Sequence, residues 1–415
     1  MAAGNIACID IGSTKICTVI ANVSDGRVVQ ILGVGNAPSR GVQKGIIVDI
    51  DDATIAIKES LEKAEVAAPK VGAALIGFSG KHISSTNPMV SVDTHRRDHL
   101  VGEVAIDEAE GKIQAVVFPE DRVKVNIVKR QWSIDRVGGI RNPLGMHGFR
   151  LDLEAHIVTA DYGYMENLIA CLRRSGVAAT LGDFVANPLA AGESVLEPED
   201  KERGVILADI GGGTTGIAVY REGSVWHTSA LPVGGRQVTN DLAVGLSIPF
   251  SAAEELKVGS GTLYPEEIKD ARTEILEKHN TSPEELSYII RARVEEILRM
   301  IVSKSPQRGN ESLVITGGTA NLPGMEQFAR EVLGLQVRIG VPTNLPQGGE
   351  LLNDPSYASV VGLLLWGAEL GALSERRHEG RGGGWNPFSG LRSTFGSFWN
   401  RLPRISFSPP KSEEG

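Results

Sequence analysis

One pattern occurs twice in this chain and limits its fold more than any other. Ile6-Ala-Cys-Ile-Asp10-Ile-Gly12-Ser-Thr-Lys15 is an apolar strand ending in Asp, Gly and small hydroxyl residues. Val205-Ile-Leu-Ala-Asp209-Ile-Gly211-Gly-Gly-Thr-Thr215 repeats the plan about 200 residues later. After each turn comes a second apolar strand, Ile16 to Ala21 and Gly216 to Tyr220, and then a two-residue turn, Asp25-Gly26 and Glu222-Gly223, of the kind hairpins favour. Two equivalent hairpins imply two lobes on one plan.

Helical patterns lie between the strands: Asp51 to Ala67, with Ile55, Leu61 and Ala64 assigned to one side, then Met165 to Ser175, Ser251 to Val258 and Pro283 to Ser303. Strands alternating with helices predict an α/β fold. The stretch from about Ser84 to Tyr162 is strand-rich, with turns expected at Gly138-Gly139 and Asn142-Pro143, and reads as an insertion.

The repeated turn has a chemical use. Glycines let backbone N–H groups approach phosphate oxygens and form an anion-binding nest. This assigns Gly12, Ser13, Thr14 and Lys15, and Gly211, Gly212, Gly213, Thr214 and Thr215, to phosphate. Asp10 and Asp209 repel phosphate, so they make sense only with a hard divalent cation between them, Mg²⁺ held through water. No G-x-x-x-x-G-K-[ST] occurs, and both turns lead into strands rather than the helix of a dinucleotide fold. A third element, Leu313-Val-Ile-Thr316-Gly317-Gly318-Thr-Ala320, offers bare backbone for a purine and sugar. Glu254 and Lys257, three apart on one helix face, are either a surface ion pair or a ribose contact.

Composition narrows the partners. The net charge of −9 argues against nucleic acid. Three cysteines without a C-x-x-C pair give neither a disulfide framework nor a zinc site, and suit a reducing compartment. His95 and His99 are four apart, but in a polar stretch that reads as surface rather than metal site. No signal peptide and no membrane-spanning run are read, so contact with a membrane would be peripheral.

Together these motifs resemble the actin and heat-shock-chaperone ATPase superfamily. Ser79-Gly-Lys-His-Ile83, Gly139-Ile-Arg-Asn-Pro-Leu-Gly145 with Gly148, Gln336-Val-Arg-Ile-Gly340, Tyr357 before Val361-Gly-Leu-Leu, and the amphipathic end resemble the FtsA family in particular. The resemblance covers essentially the whole chain. It implies a two-lobed actin-like α/β fold with an inserted α+β subdomain and a C-terminal amphipathic membrane-binding helix. On that plan the first-lobe core is 1–84 with 163–192, and the insertion is 85–162. The second-lobe core is 193–226 with 306–373, its last helix packing back on the first lobe, and its smaller subdomain is 227–305. A linker at 374–386, a membrane helix at 387–403 and a disordered end at 404–415 complete it.

The resemblance further implies ATP with Mg²⁺, with Gly235, Glu254, Lys257, Gly317, Gly318 and Ala320 on the adenosine side. It implies actin-like filaments, binding of the FtsZ C-terminal tail near Arg291 and Arg293, and recruitment of other division proteins by the insertion. The expected place is the cytoplasmic face of the membrane at the septum. Asn187 stands where fast hydrolases of the superfamily place a water-orienting Glu or Gln, which predicts weak or negligible ATPase activity. A PilM-like pilus-assembly protein and a sugar or acetate kinase are the alternatives. For both, the end of the chain discriminates. Phe388, Leu391, Phe395, Phe398, Trp399 and Leu402 share one helical face, Arg392 and Arg401 lie among them, and no Asp or Glu occurs between Gly380 and Ser412. That predicts an interfacial helix on an anionic membrane surface.

Overall fold

The computed structural model describes residues 4–94, 98–267, 273–306, 309, 311–343 and 345–378. His95 and the expected membrane helix, with Phe388, Leu391, Arg392, Phe395, Phe398, Trp399, Arg401 and Leu402, lie outside the described residues.

The two copies of the repeated motif build two sheets of the same topology. In the first, Gly4–Ile11 is central. It pairs antiparallel with Lys15–Ser24, which pairs in turn with Arg27–Pro38. On its other side it pairs in parallel with Leu75–Phe78 and, beyond that, Phe184–Ala186. In the second, Val205–Ile210 takes the central place, with Thr215–Arg221 and Ser224–Leu231 on one side and Ser312–Thr316 and Val337–Ile339 on the other. The hairpin turns have positive φ at both central residues, 51° and 76° at Asp25-Gly26 and 53° and 72° at Glu222-Gly223. That is the type I′ geometry whose twist matches the strands.

Helix Ile50–Ala64 starts at Asp49, whose carboxylate accepts the Asp52 N–H at 2.9 Å. Its inner face is Ala53, Ala56, Ile57, Ser60, Leu61 and Ala64. Ile55, assigned to that face from the sequence, is 49% exposed. Six residues before Leu61, it lies about 240° away around a helix of 3.6 residues per turn. The helix lies so close to Arg27–Pro38 that a Cβ on Gly35 would fall 1.9 Å from the Ser60 carbonyl oxygen.

The long helix Ala358–His378 returns to the first lobe and packs on Asn187–Val195 and the first sheet. It continues past Leu373, where the sequence reading placed a linker from 374, because no glycine or proline intervenes before Gly380.

Between Leu75–Phe78 and the helix Tyr162–Arg174 stands the inserted domain. Its sheet runs Val137–Ile140, Arg122–Ile134, Arg150–Asp161, Ser84–Thr86, with Met89–Asp93 also on Arg150–Asp161. Helix Glu103–Gln114 covers one face, setting Ala105, Ala109 and Ile113 against Trp132, Leu151 and Leu153. The tight turn is at Asp135-Arg136, with φ of 47° and 74°, rather than at Gly138-Gly139, which sit in the returning strand. Asp135 holds the turn by accepting the N–H groups of Phe149 and Arg150.

The insertion is also bolted to the second lobe. His156 Nδ1 donates to Asn87 Oδ1 at 2.7 Å, and its Nε2 meets Thr228 Oγ1 at 2.9 Å. The Arg130 guanidinium lies 3.6 Å above the Trp226 ring.

Two buried histidines make stability depend on pH. Burial pushes His82 down to about 4, and burial with nearby Arg130 pushes His156 down to about 3. Each remains neutral in the fold while the unfolded chain takes up a proton near pH 6.5, so each contribution is full above 6.5 and is lost as pH falls through the folded value. The loss is about 1.4 kcal/mol per pH unit per residue within that window. Asp209 and Glu369, pushed up to about 6 and about 7, titrate in the opposite sense. The readout is therefore a difference between proteins. His82→Phe, which keeps a ring 3.7 Å from that of Tyr164, should lose less melting temperature than the parent between pH 7 and 5. Identical pH dependence would show that His82 is charged or solvated in the native state.

Candidate functional site

A cavity of about 500 Å³ separates the two lobes, floored by the carboxyl ends of the central strands. The two repeated turns face each other across it. Gly12 N–H donates to Lys15 O at 3.1 Å and Gly211 N–H to Thr214 O at 2.9 Å, so both close the same tight loop. They also touch. A Cβ on Gly212 would lie 1.9 Å from Thr14 Oγ1, and one on Gly213 2.6 Å from Ser13 Cβ. Bare backbone is what allows this approach.

Asp10 and Asp209 leave the ends of these strands side by side. Both are pushed above the ordinary carboxylate range, chiefly by burial. Asp10 is held back by the Asn187 amide and Lys15. Asp209 reaches about 6, with repulsion from Asp10 adding to burial and Ser359 opposing. Asn187 Nδ2 donates to Asp10 Oδ1 at 2.8 Å, and Ser359 Oγ donates to Asp209 Oδ2 at 2.9 Å. Lys15 is itself engaged: its Nζ donates to Ser356 Oγ at 3.2 Å and lies 3.6 Å over the Tyr357 ring.

The cavity continues between Gly235–Gly245 and Phe250–Ser260 on one wall and the Gly317–Pro323 turn on the other. Lys257 Nζ donates to both Glu254 oxygens, at 2.9 and 2.7 Å, and to Thr239 Oγ1 at 2.8 Å. The pair assigned from its spacing is thus a partly buried network rather than a solvated one. Gly317 has φ of 86°, and a Cβ there would lie 2.5 Å from Asp209 Oδ1, so both conformation and space require glycine.

Of the residues assigned from the sequence to nucleotide, metal and catalysis, Asp10, Gly12, Ser13, Thr14, Lys15, Asn187, Asp209, Gly211, Gly212, Thr214, Gly235, Glu254, Lys257, Gly317 and Gly318 all line this one cavity. Three do not. Thr215 is fully buried and donates to the Val233 carbonyl at 2.8 Å, so its hydroxyl is spent inside the sheet. Gly213 packs on Ser13, and Ala320 is buried behind the turn. The sequence reading missed Arg236, Ser79 and Ser359, which also line the cavity. Ser359 carried no local signal; it arrives on the returning last helix.

Arg291 and Arg293 do not form an open basic patch. Arg293 makes a two-pronged pair with Asp241 and a second with Glu296. Arg291 lies over the rings of Phe328 and Tyr264, at 4.9 and 5.5 Å. Among the described residues, no group of three or more His, Cys, Asp or Glu assembles as a metal cluster. The His99 ring lies 4.1 Å from that of Phe149, tilted by 40°.

Comparison with known proteins places this geometry. The family model "Cell division protein FtsA" matches residues 206–362, and that of the "SHS2 domain inserted in FTSA" matches 80–159. The chain is 33% identical over 377 residues to a cell division protein FtsA of Pseudomonas aeruginosa, covering 87% of this chain and 88% of that one. It is 33% identical over 386 residues to that of Bacillus subtilis, covering 89% and 84%. Among solved structures, a PilM-PilN type IV pilus biogenesis complex matches with TM-score 0.58 and 17% identity, over 88% of this chain and 98% of that one. An MreB of Spiroplasma citri bound to AMPPNP matches with TM-score 0.50 and 11% identity, over 91% and 98%. At such identities the two structures speak for the fold, a mixed α/β actin-like one.

Proposed function

The chain belongs to the FtsA family of cell division proteins, and from that premise we propose that it binds ATP with Mg²⁺ between its lobes and polymerises on the cytoplasmic face of the membrane at the septum. There it tethers the FtsZ ring through the FtsZ C-terminal tail and helps recruit septal wall-synthesis proteins through the inserted domain. The observation that carries the nucleotide part is the duplicated turn, which brings two glycine turns and two half-buried carboxylates to one cavity.

The donor set fits a divalent cation. Two half-buried carboxylates repel each other, and Lys15 is engaged by Ser356 and Tyr357. A bound Mg²⁺ would neutralise that pair and screen the phosphate charge. The protein's own part is to present turn N–H groups to the phosphates, to hold Asp10 through Asn187 and Asp209 through Ser359, and to keep the Gly317 backbone close to the nucleoside. Asn187 is no base, and its amide is already tied to Asp10, which supports slow turnover.

An acidic FtsZ tail reaching Arg293 would have to compete with Asp241 and Glu296, so apolar contacts must supply more of the recognition than charge.

Membrane attachment rests on the sequence of 387–403. Six apolar residues on one face, at about 1.5–3 kcal/mol each, are largely offset by ordering the segment at roughly 1–2 kcal/mol per residue. One tail therefore binds weakly, and a filament carrying many tails binds firmly. The test is sedimentation with anionic liposomes in Mg-ATP. The full chain should sediment with them, and the chain truncated after Gly384 should remain in the supernatant with nucleotide affinity intact. Undiminished sedimentation of the truncated chain would place the anchor elsewhere.

A further inference from the structure

Glu254 and Lys257 both line the cleft, and both meet a residue that does not. That residue is Thr239, fully buried behind the wall on helix Gly235–Gly245. Its Oγ1 accepts from Lys257 Nζ at 2.8 Å, is hydrogen-bonded to Glu254 Oε2, and lies 3.2 Å from the Gly235 carbonyl oxygen. A hydroxyl has one hydrogen to give. A carboxylate is the stronger acceptor, so that hydrogen goes to Glu254 and a lone pair takes Lys257.

The rest of the network follows. Glu254 Oε2 accepts from both Thr239 and Lys257, whereas Oε1 accepts from Lys257 alone, at 2.9 Å. Lys257 Nζ also reaches the Gly235 carbonyl at 3.3 Å, so the ammonium is fully engaged by Glu254, Thr239 and Gly235. Oε1 is therefore the atom of the pair with room for a further donor. It belongs to the more open partner: the Glu254 side chain is 37% exposed and that of Lys257 14%. The helix that carries Thr239 is tied in turn to the second repeated turn. Gly235 N–H donates to Gly211 O at 2.9 Å and Arg236 N–H to Gly212 O at 2.8 Å. Through Thr239, the Glu254 carboxylate keeps a fixed place relative to Gly211 and Gly212.

Resting on the ATP reading above, we propose that Thr239 is a positioning residue for the sugar of the nucleotide, holding Glu254 so that the cleft selects ribonucleotides over deoxyribonucleotides. A carboxylate only accepts, and the vicinal hydroxyls of a ribose offer it two donors. A deoxyribose offers one and leaves a carboxylate oxygen unmatched. A site built to hydrogen-bond a hydroxyl rejects the analogue that lacks it for that reason. Thr239 acts only through Glu254 and Lys257. Without its hydroxyl, Oε2 loses a donor and Lys257 an acceptor, and a partly exposed glutamate is free to turn its carboxylate away from the sugar. The phosphate turns are untouched by that change, so the loss falls on the choice of sugar rather than on nucleotide binding as a whole.

Calorimetry on the full chain with Mg-ATP and with Mg-2′-deoxy-ATP tests this. The parent protein should prefer the ribonucleotide by about tenfold, which is about 1.4 kcal/mol and the low end for a hydrogen bond to a charged group. Thr239→Val keeps the shape without the hydroxyl and should bring the two affinities within about threefold of each other, chiefly by weakening Mg-ATP. Thr239→Ser returns the hydroxyl and should restore the preference. Thr239→Ala should behave as the valine variant does, which covers the case in which valine does not fold. A purely structural role would weaken both nucleotides alike, so a preference that survives loss of the hydroxyl would overturn the proposal. A parent protein that binds the two nucleotides equally would overturn it as well, with the ATP reading left standing. A parent protein that binds neither would overturn the ATP reading and this one with it.

Discussion

Replacing Asp209 with asparagine should weaken Mg-ATP binding by roughly a hundredfold while raising the melting temperature of the nucleotide-free protein. The two effects come from one cause. Asp209 stands half-buried beside Asp10, and desolvation with that repulsion pushes it up to about 6. Its folded value lies above the ordinary 3.8, so its contribution to stability is favourable at low pH and is lost as pH rises through about 6. At neutral pH the folded protein therefore bears the cost of two like charges in one site. Asparagine keeps the shape and can still accept from Ser359 Oγ, now at 2.9 Å from Asp209. It removes the charge, relieving the nucleotide-free fold and depriving a divalent cation of a ligand. A charged contact of this kind is worth about 1.5–3 kcal/mol, and about 2.8 kcal/mol corresponds to a hundredfold. Opposite movements of stability and affinity are difficult to obtain from a structural defect. Calorimetry that found Mg-ATP affinity unchanged would remove Asp209 from the site, and a lowered melting temperature would show that the carboxylates do not repel.

The largest effect on folding is expected at Gly362. Helix Ala358–His378 crosses Asn187–Val195 so closely that a Cβ on Gly362 would lie 1.7 Å from the Ala190 carbonyl oxygen and 2.3 Å from its carbon. Backbone atoms cannot rotate away as a side chain can, so the helices must separate. Their contact is also pinned by Ser194 Oγ, which donates to the Ala358 carbonyl at 2.7 Å. Overpacking of this kind costs roughly 3 kcal/mol or more, a large part of the roughly 5–15 kcal/mol that holds a domain together. Any gain in helix propensity over glycine is at most about 1 kcal/mol. Gly362→Val should therefore unfold at clearly lower denaturant. Because the same helix carries Ser359 to Asp209, it should also lose nucleotide affinity. Denaturation curves that coincide with the parent's would show that the two helices can move apart at no cost.

The legible parts of this molecule were the local ones. Asp10 and Asp209 stood out because a strand, an acid and a glycine turn are consecutive, and the motif occurs twice. The type I′ turns at Asp25-Gly26 and Glu222-Gly223 were readable for the same reason. At Asp135-Arg136 the same turn was missed, because nearby Gly138-Gly139 looked the better breaker and the carboxylate bonds that hold Asp135 come from residues 149 and 150. Arg291 and Arg293 looked like free charge because Asp241 is far away in the chain and Phe328 belongs to another helix. Thr215 looked like Thr214, yet Thr214 belongs to the turn while Thr215 opens the next strand and turns its hydroxyl to the Val233 carbonyl, so only one of the two lines the cavity. Ser359 had no local signal at all. Its contact with Asp209 exists only because a returning helix brings it there.

The central claim is that this cleft holds Mg-ATP between the two repeated turns. A crystal or cryo-EM structure of the full chain with Mg-AMPPNP tests it most directly. The account predicts the triphosphate between Gly12–Thr14 and Gly211–Thr214, Mg²⁺ beside Asp10 and Asp209, and the nucleoside against Gly317-Gly318 and the Glu254–Lys257 pair. Nucleotide bound anywhere else, or a cleft that remains empty at saturating Mg-AMPPNP, would contradict it.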